Sequence, residues 1–296
     1  MKRLAWLLAS CTGACGAAGP ENQEFDGVAA FSYVERQMEF GPRVPNTSGH
    51  QAAGDWIVER LRATADSVEV QQFEHVSANG DTLRLRNFIG RFGPQLSNRI
   101  LYLAHWDSRP MADRSRNVGA QRQPVPGAND GASGVAVLLG VADVLAANPS
   151  NFGVDLLFVD GEDYGDFSAD HDVLLGSRYF AANLAEGYSP LFAVLFDMVG
   201  DANLEIFQEG YSVNGAPEVV ARVWNKAAEI GYGGVFRQGV RHTLTDDHLP
   251  LLEAGIRTAN VIDFDYPYWH TTDDTIDKIS PESLQVVGDV AVALLR

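Results

Sequence analysis

The sequence predicts an α/β fold, a three-layer α/β/α sandwich around a mixed, largely parallel central sheet. Three observations predict it. Apolar runs at residues 154–160, 191–198 and 257–262 read as strands buried on both faces, the signature of parallel sheets. Stretches with helical spacing alternate with these runs, as in strand-helix-strand units. Metal-capable side chains stand at the ends of the apolar runs, where open α/β sheets hold their ligands.

Residues 25–40 and 47–63 carry apolar side chains at helical spacing, with Gly41-Pro42 as a stop between them and Ser48 as the cap of the second helix. Residues 68–73 alternate as a strand with one wet face, and residues 87–92 and 99–104 follow as further strands. Residues 134–147 are apolar on nearly every turn and stop at Asn148-Pro149, which marks a helix packed on the sheet. After the strand at 154–160, residues 217–230 and 280–295 read as helices, the latter opening Ser280-Pro281-Glu282. The irregular segments 108–127 and 161–172 lie beside the charged motifs and read as pocket walls.

Residues 1–24 form a separate leader. Met1-Lys2-Arg3 and the apolar stretch from Leu4 to Ser10 resemble an export signal, and Leu8-Ala9-Ser10-Cys11 resembles a bacterial lipoprotein cleavage box. Cys11 is then expected to carry lipid and tether an exported, periplasmic or cell-envelope protein. Residues 25–296 are expected to be one catalytic domain, because a boundary between His105 and His270 would split the site. Both cysteines, Cys11 and Cys15, fall in the leader, which excludes thiolate zinc sites and cysteine nucleophiles from the folded body. A net charge of -17 argues against a nucleic-acid partner, since such binding needs clustered cations.

The charged motifs carry the chemistry. His105 and Asp107, two apart at a strand end, project to one side if the strand persists, as a metal ligand and the carboxylate that orients it. Asp130 precedes Gly131 and the apolar helix, and reads either as a ligand or as an ordinary helix cap. Glu162 and Asp163 are adjacent carboxylates that need a cation nearby; one can ligate it while the other serves as general base. Asp197 ends an apolar strand and is a second ligand or a hydrogen-bond anchor. His270 completes a carboxylate, carboxylate, imidazole set with an open position, the pattern of catalytic zinc.

In this order, His105-x-Asp107, Asn129-Asp130-Gly131, Glu162-Asp163, Asp197 and His270-Thr271 resemble the M28 zinc aminopeptidase family over nearly the whole chain after the leader. Within it the likeness is closer to the glutaminyl-peptide cyclotransferases, the animal-type glutaminyl cyclases and their bacterial relatives. Asp246-Asp247-His248-Leu249-Pro250 has an additional Asp where aminopeptidases usually keep an Asp-His pair, and Trp269 stands where they more often have Tyr. The resemblance implies a zinc aminopeptidase-like fold and one zinc held by Asp130, Asp163 and His270. It further implies Glu162 as proton shuttle, and Asp246 with Asp197 as a hydrogen-bonded acidic pair. Trp269 and Phe167 would wall the substrate pocket, Phe167 being the aromatic nearest to a cyclase pocket Trp.

The resemblance thus implies cyclisation of an N-terminal glutamine of peptides or proteins to pyroglutamate with loss of ammonia. The alternative is a two-zinc aminopeptidase, with His105 and Asp197 on the second ion and Asp130 bridging.

Overall fold

The computed structural model describes residues 24–296, so the expected export signal and Cys11 lie outside the described residues. Helix α1 (Gly27–Glu39) begins where the Asp26 carboxylate accepts the N–H groups of Val28 and Ala29. Helix α2 (Ser48–Thr64) is capped by Thr47, whose hydroxyl accepts the His50 N–H. Ser48, expected as the cap, is instead the first helical residue.

Strands β1 (Ser67–Val76), β2 (Thr82–Phe92) and β3 (Arg99–His105) follow, the first two longer than the sequence predicted. Their outer halves alternate between exposed and covered positions and present no continuous apolar run. Helix α3 (Ala132–Ala147) is buried on nearly every side. Strand β4 (Gly153–Val159), helix α4 (Leu175–Ala182), strand β5 (Phe192–Asp197) and strand β6 (Ile206–Glu209) come next. Helices α5 (Gly210–Gly215) and α6 (Pro217–Glu229), strand β7 (Phe236–His242), helix α7 (His248–Glu253), strand β8 (Thr258–Ile262) and helix α8 (Pro281–Ala293) complete the chain.

The main sheet has the order β1-β2-β4-β3-β5-β8, with β1, β2 and β4 antiparallel to their neighbours in turn and β4, β3, β5 and β8 parallel. Alternate residues of its strands face opposite layers. On β3, Ile100, Tyr102 and Ala104 join the large core made with α1, α2, α3, α6 and α8. Leu101 and Leu103 point the other way, to a smaller core with Phe180 of α4 and Leu251 of α7. This is the three-layer sandwich that the apolar runs predicted.

Parallel strands bring their carboxyl ends to one edge of the sheet. His105 pairs with Val159, and Leu103 pairs with Leu195, so His105 and Asp197 stand two residues further along adjacent strands. Helix α3 approaches that edge so closely that a Cβ on Gly134 would lie 2.1 Å from the Phe196 carbonyl oxygen. Gly134→Val is therefore expected to lower stability by about 2 kcal/mol or more, an overpacking cost to be read from the urea midpoint at unchanged slope.

Candidate metal centre

Two groups of three buried donors meet at the carboxyl edge of the sheet and share Asp130: His105, Asp130 and Asp197, and Asp130, Asp163 and His270. The ligand atoms within each group all lie within 4.8 Å of one another. His105 Nε2 is 3.1 Å from an Asp130 oxygen and 3.1 Å from an Asp197 oxygen. His270 Nε2 is 3.2 Å from Asp163 Oδ1 and 3.7 Å from Asp130 Oδ2. Asp130 Oδ2 and Asp163 Oδ2 are buried without a hydrogen-bond partner. Carboxylate oxygens orphaned beside an imidazole fit a divalent cation, and the two-carboxylate, one-imidazole set fits zinc.

Backbone clamps hold these ligands. The Asp107 carboxylate accepts the N–H groups of Glu162 (3.1 Å) and Asp163 (3.2 Å). Its Oδ1 is 3.6 Å from His105 Nδ1, too long for a hydrogen bond, so Asp107 anchors the Glu162 loop and does not orient His105 by a hydrogen bond as expected. Asp274 does the same for the neighbouring loop, accepting the N–H groups of Asn129 (2.9 Å) and Asp130 (3.1 Å) together with the Tyr266 hydroxyl (2.7 Å). The buried Arg43 guanidinium donates to the carbonyls of Trp106, Pro126 and Gly127. Helix α3 is capped by Gly131, at φ +88°, without a side-chain cap. Asp130 is therefore free of the cap role and turns toward both histidines.

Arg109 donates to the side chain of Asp163 at 2.8 Å and pairs with Asp113, whose Oδ1 is 3.4 Å from His270 Nδ1. His270 thus has one nitrogen toward the donor group and the other toward a carboxylate. Both His270 (φ +54°) and Met198 (φ +46°) occupy the left-handed region, a backbone cost that the surrounding clamps must sustain.

Burial pushes Asp197 up to about 7, against the pull of His105 and with Asp246 and Asp130 adding to the rise. Burial likewise drives Glu162 well above the usual carboxylate range, opposed by His105 and reinforced by Asp163. Burial opposes protonation of His270, yet Asp163 and Asp113 raise it to about 9. Glu162 belongs to neither donor group; its Oε2 is 3.8 Å from His105 Nδ1.

A cavity of about 270 Å³ opens on the centre, lined by Asp130, Glu162, Asp197, Asp246, Phe167, Trp269 and His270 among others. The Trp269 ring centroid is 4.0 Å from that of His270 and 4.8 Å from that of Phe264, while Phe167 stands 6.5 Å from His270. The expected hydrogen-bonded pair of Asp246 and Asp197 takes a different form. Asp246 accepts from the Asn260 amide (2.7 Å) and the Asp247 N–H (2.6 Å), and Asp197 faces His105, so the two acids interact through charge. Sequence reading missed Arg43, Arg109, Asp113 and Asp274. None had a clear local signal: Asp274 directly follows Asp273 and differs from it in burial, Arg109 and Asp113 pair four residues apart on an irregular segment, and Arg43 acts across long chain separations.

The sequence profile of Peptidase family M28 matches residues 87–295. The chain belongs to peptidase family M28. It is similar to a crystal structure described as a leucine aminopeptidase precursor from Bacteroides thetaiotaomicron, at 37% identity and TM-score 0.90, over 94% of this chain and 99% of that one. A glutaminyl cyclase from the same organism, bound to N-acetylhistamine, is 38% identical at TM-score 0.89, over 93% of this chain and 99% of the other. Aminopeptidase YwaD of Bacillus subtilis is 30% identical over 289 residues, which span 92% of this chain but 58% of YwaD. M28 enzymes are zinc-dependent, and the donors of this M28 chain are of the kind zinc takes.

Two outcomes follow from this geometry. Without metal the folded chain binds protons more tightly than the unfolded one, at Asp197 between 3.8 and about 7 and at His270 between 6.5 and about 9. The stability these groups confer is present at low pH and is lost as pH rises through those values. Chelator-stripped protein should therefore melt at progressively lower temperature from about pH 5 to about pH 9, and added zinc should restore most at the alkaline end. Identical melting of stripped and zinc-loaded samples would contradict the assignment. Asp274→Asn, which weakens the clamp on Asp130, should lower zinc affinity about 10- to 100-fold in a competitive chelator titration.

Proposed function

We propose that this M28 enzyme is a zinc-dependent glutaminyl-peptide cyclotransferase, converting the N-terminal glutamine of peptides or proteins to pyroglutamate with release of ammonia. The reading rests on one observation: Glu162 and Asp246, two acids outside both donor groups, share a single small cavity with the Trp269 indole. Cyclisation needs a proton carrier, a hydrogen-bond acceptor for the amide nitrogen that leaves as ammonia, and a wall that bends the substrate onto itself. Those three residues supply them.

In the reaction the α-amine nitrogen attacks the side-chain amide carbon, the new carbon–nitrogen bond closes a five-membered lactam, and the old one breaks. Bound zinc supplies Lewis-acid polarisation of the amide carbonyl. Glu162, with its raised proton affinity, takes the proton from the amine and delivers it to the departing nitrogen, which leaves as ammonia. Asp246, fixed by Asn260 and its own neighbour's N–H, accepts a hydrogen bond from the amide NH₂ as it leaves. The flat face of Trp269 holds the glutamine side chain folded, and orientation is what an intramolecular attack gains most from.

Asp130, Asp163 and His270 are the proposed ligands of a single zinc. A second reading, hydrolysis by a two-zinc aminopeptidase, is favoured by one feature, the sharing of Asp130 between two donor groups. Export and a lipid tether at Cys11 are proposed from the leader sequence alone.

Zinc-loaded protein offered glutaminyl and leucyl peptides side by side should convert the former to a product lighter by one ammonia and leave the latter intact. Release of free leucine with two metal ions per chain would assign the aminopeptidase. Glu162→Gln is expected to retain zinc and lose about 10²- to 10⁴-fold in turnover.

A further inference from the structure

Most arginines of the described residues pair with a carboxylate, as Arg109 does with Asp113 and Asp163 and Arg241 does with Asp265. Arg114 and Arg116 do not, and neither do Arg43, Arg62, Arg122 and Arg222; what distinguishes Arg114 and Arg116 is their place, side by side in one cleft next to the metal centre. Both line a cleft of about 560 Å³ between residues 114–120 and 267–273.

That cleft adjoins the metal centre through one strip of chain. Tyr268 and Thr271 face the cleft, whereas Trp269 and His270 between them face the catalytic cavity. The two walls are tied together: the Arg114 N–H donates to the His270 carbonyl at 3.1 Å, and the Thr272 N–H donates to the Ser115 hydroxyl at 3.1 Å. The Arg114 guanidinium lies over the Trp269 ring, 5.0 Å from its centroid, so this side chain touches the cavity wall and the cleft together. Asp273 stands on the opposite wall, which leaves the 114–116 side as the cationic one.

We propose that the cleft is the subsite for the residues following the N-terminal one in a peptide substrate, and that Arg114 and Arg116 select a carboxylate there. The carboxylate comes from an acidic side chain or from the C-terminus of a short peptide. This rests on the preceding reading only in taking a peptide N-terminus as the occupant of the catalytic cavity. The physical reason is local compensation. A body with a net charge of -17 repels an anionic peptide, and two guanidinium groups without carboxylate partners, next to the strip that carries Trp269 and His270, offset that repulsion locally.

The test compares Gln-Ala-Ala-amide, Gln-Glu-Ala-amide and Gln-Ala-Ala free acid on zinc-loaded protein. At low salt the KM of one or both anionic peptides should be about two- to fivefold below that of the neutral amide, the range an exposed ion pair supports. The advantage should fade at high ionic strength. Arg116→Ala should bring the KM ratio toward one, Arg116→Lys should restore part of it, and Asp273→Asn should widen it. Equal KM values for all three peptides on the unaltered protein would overturn the proposal. Calorimetric binding of the same peptides to zinc-loaded Glu162→Gln gives a readout independent of turnover. An anionic preference there without cyclisation by the unaltered enzyme would sink the cyclotransferase reading and leave the cleft standing. Equal binding of the three would remove the cleft.

Discussion

Two buried carboxylates, Asp107 and Asp274, each receive two consecutive backbone N–H groups from another part of the chain, and the metal centre depends on both. Asp107 seizes Glu162 and Asp163, and Asp274 seizes Asn129 and Asp130. A loop that carries a metal ligand cannot be rigid by virtue of its own hydrogen bonds, because it has no ladder or helix to share them with. Accepting two successive N–H groups fixes the direction of the peptide planes, and with them the side chain that follows. The carboxylates accept this burial because charge-assisted bonds to backbone donors compensate for lost water.

The sheet makes these long-range contacts possible. Four parallel strands deliver His105, the Glu162-Asp163 loop, Asp197 and the His270 loop to one edge, and the antiparallel β2 closes the flank without adding a ligand. Helix α3 is the second requirement, since its close approach at Gly134 brings Asp130 over the middle of that edge. The left-handed backbone at Met198 and His270 is the local strain this convergence leaves behind.

Convergence of so many acids is unfavourable unless positive charge answers it. Arg43 and Arg109 answer part of it from behind, through carbonyls and Asp163 respectively. In front, Asp130 and Asp163 keep oxygens that nothing in the protein satisfies. Glu162 and Asp246 stand just outside the donor groups on the cavity wall, and burial raises the proton affinity of both. Members of the donor groups and the acids beside them are therefore separated by position, although they are the same chemical type and, in the case of Glu162 and Asp163, adjacent in sequence.

Much of this was readable from the residues alone. Apolar runs at β4, β5 and β8 declared the buried parallel sheet, and the acids and histidines at their ends declared a metal edge, because strand burial and buried charge leave strong local patterns. Short elements such as α4, α5 and β7 were not readable, since six to eight residues carry too little periodicity or, in β7, too much exposed polar surface. Nor could the chain show that Asp107 grips a backbone 55 residues away and not the ring of His105, or that Arg43 reaches across 84 residues to the loop of Asp130. Residue type and order determined which groups were able to bind metal. Only tertiary packing decided which of them face one another, because the directions of hydrogen bonds between distant loops are set by how the layers dock.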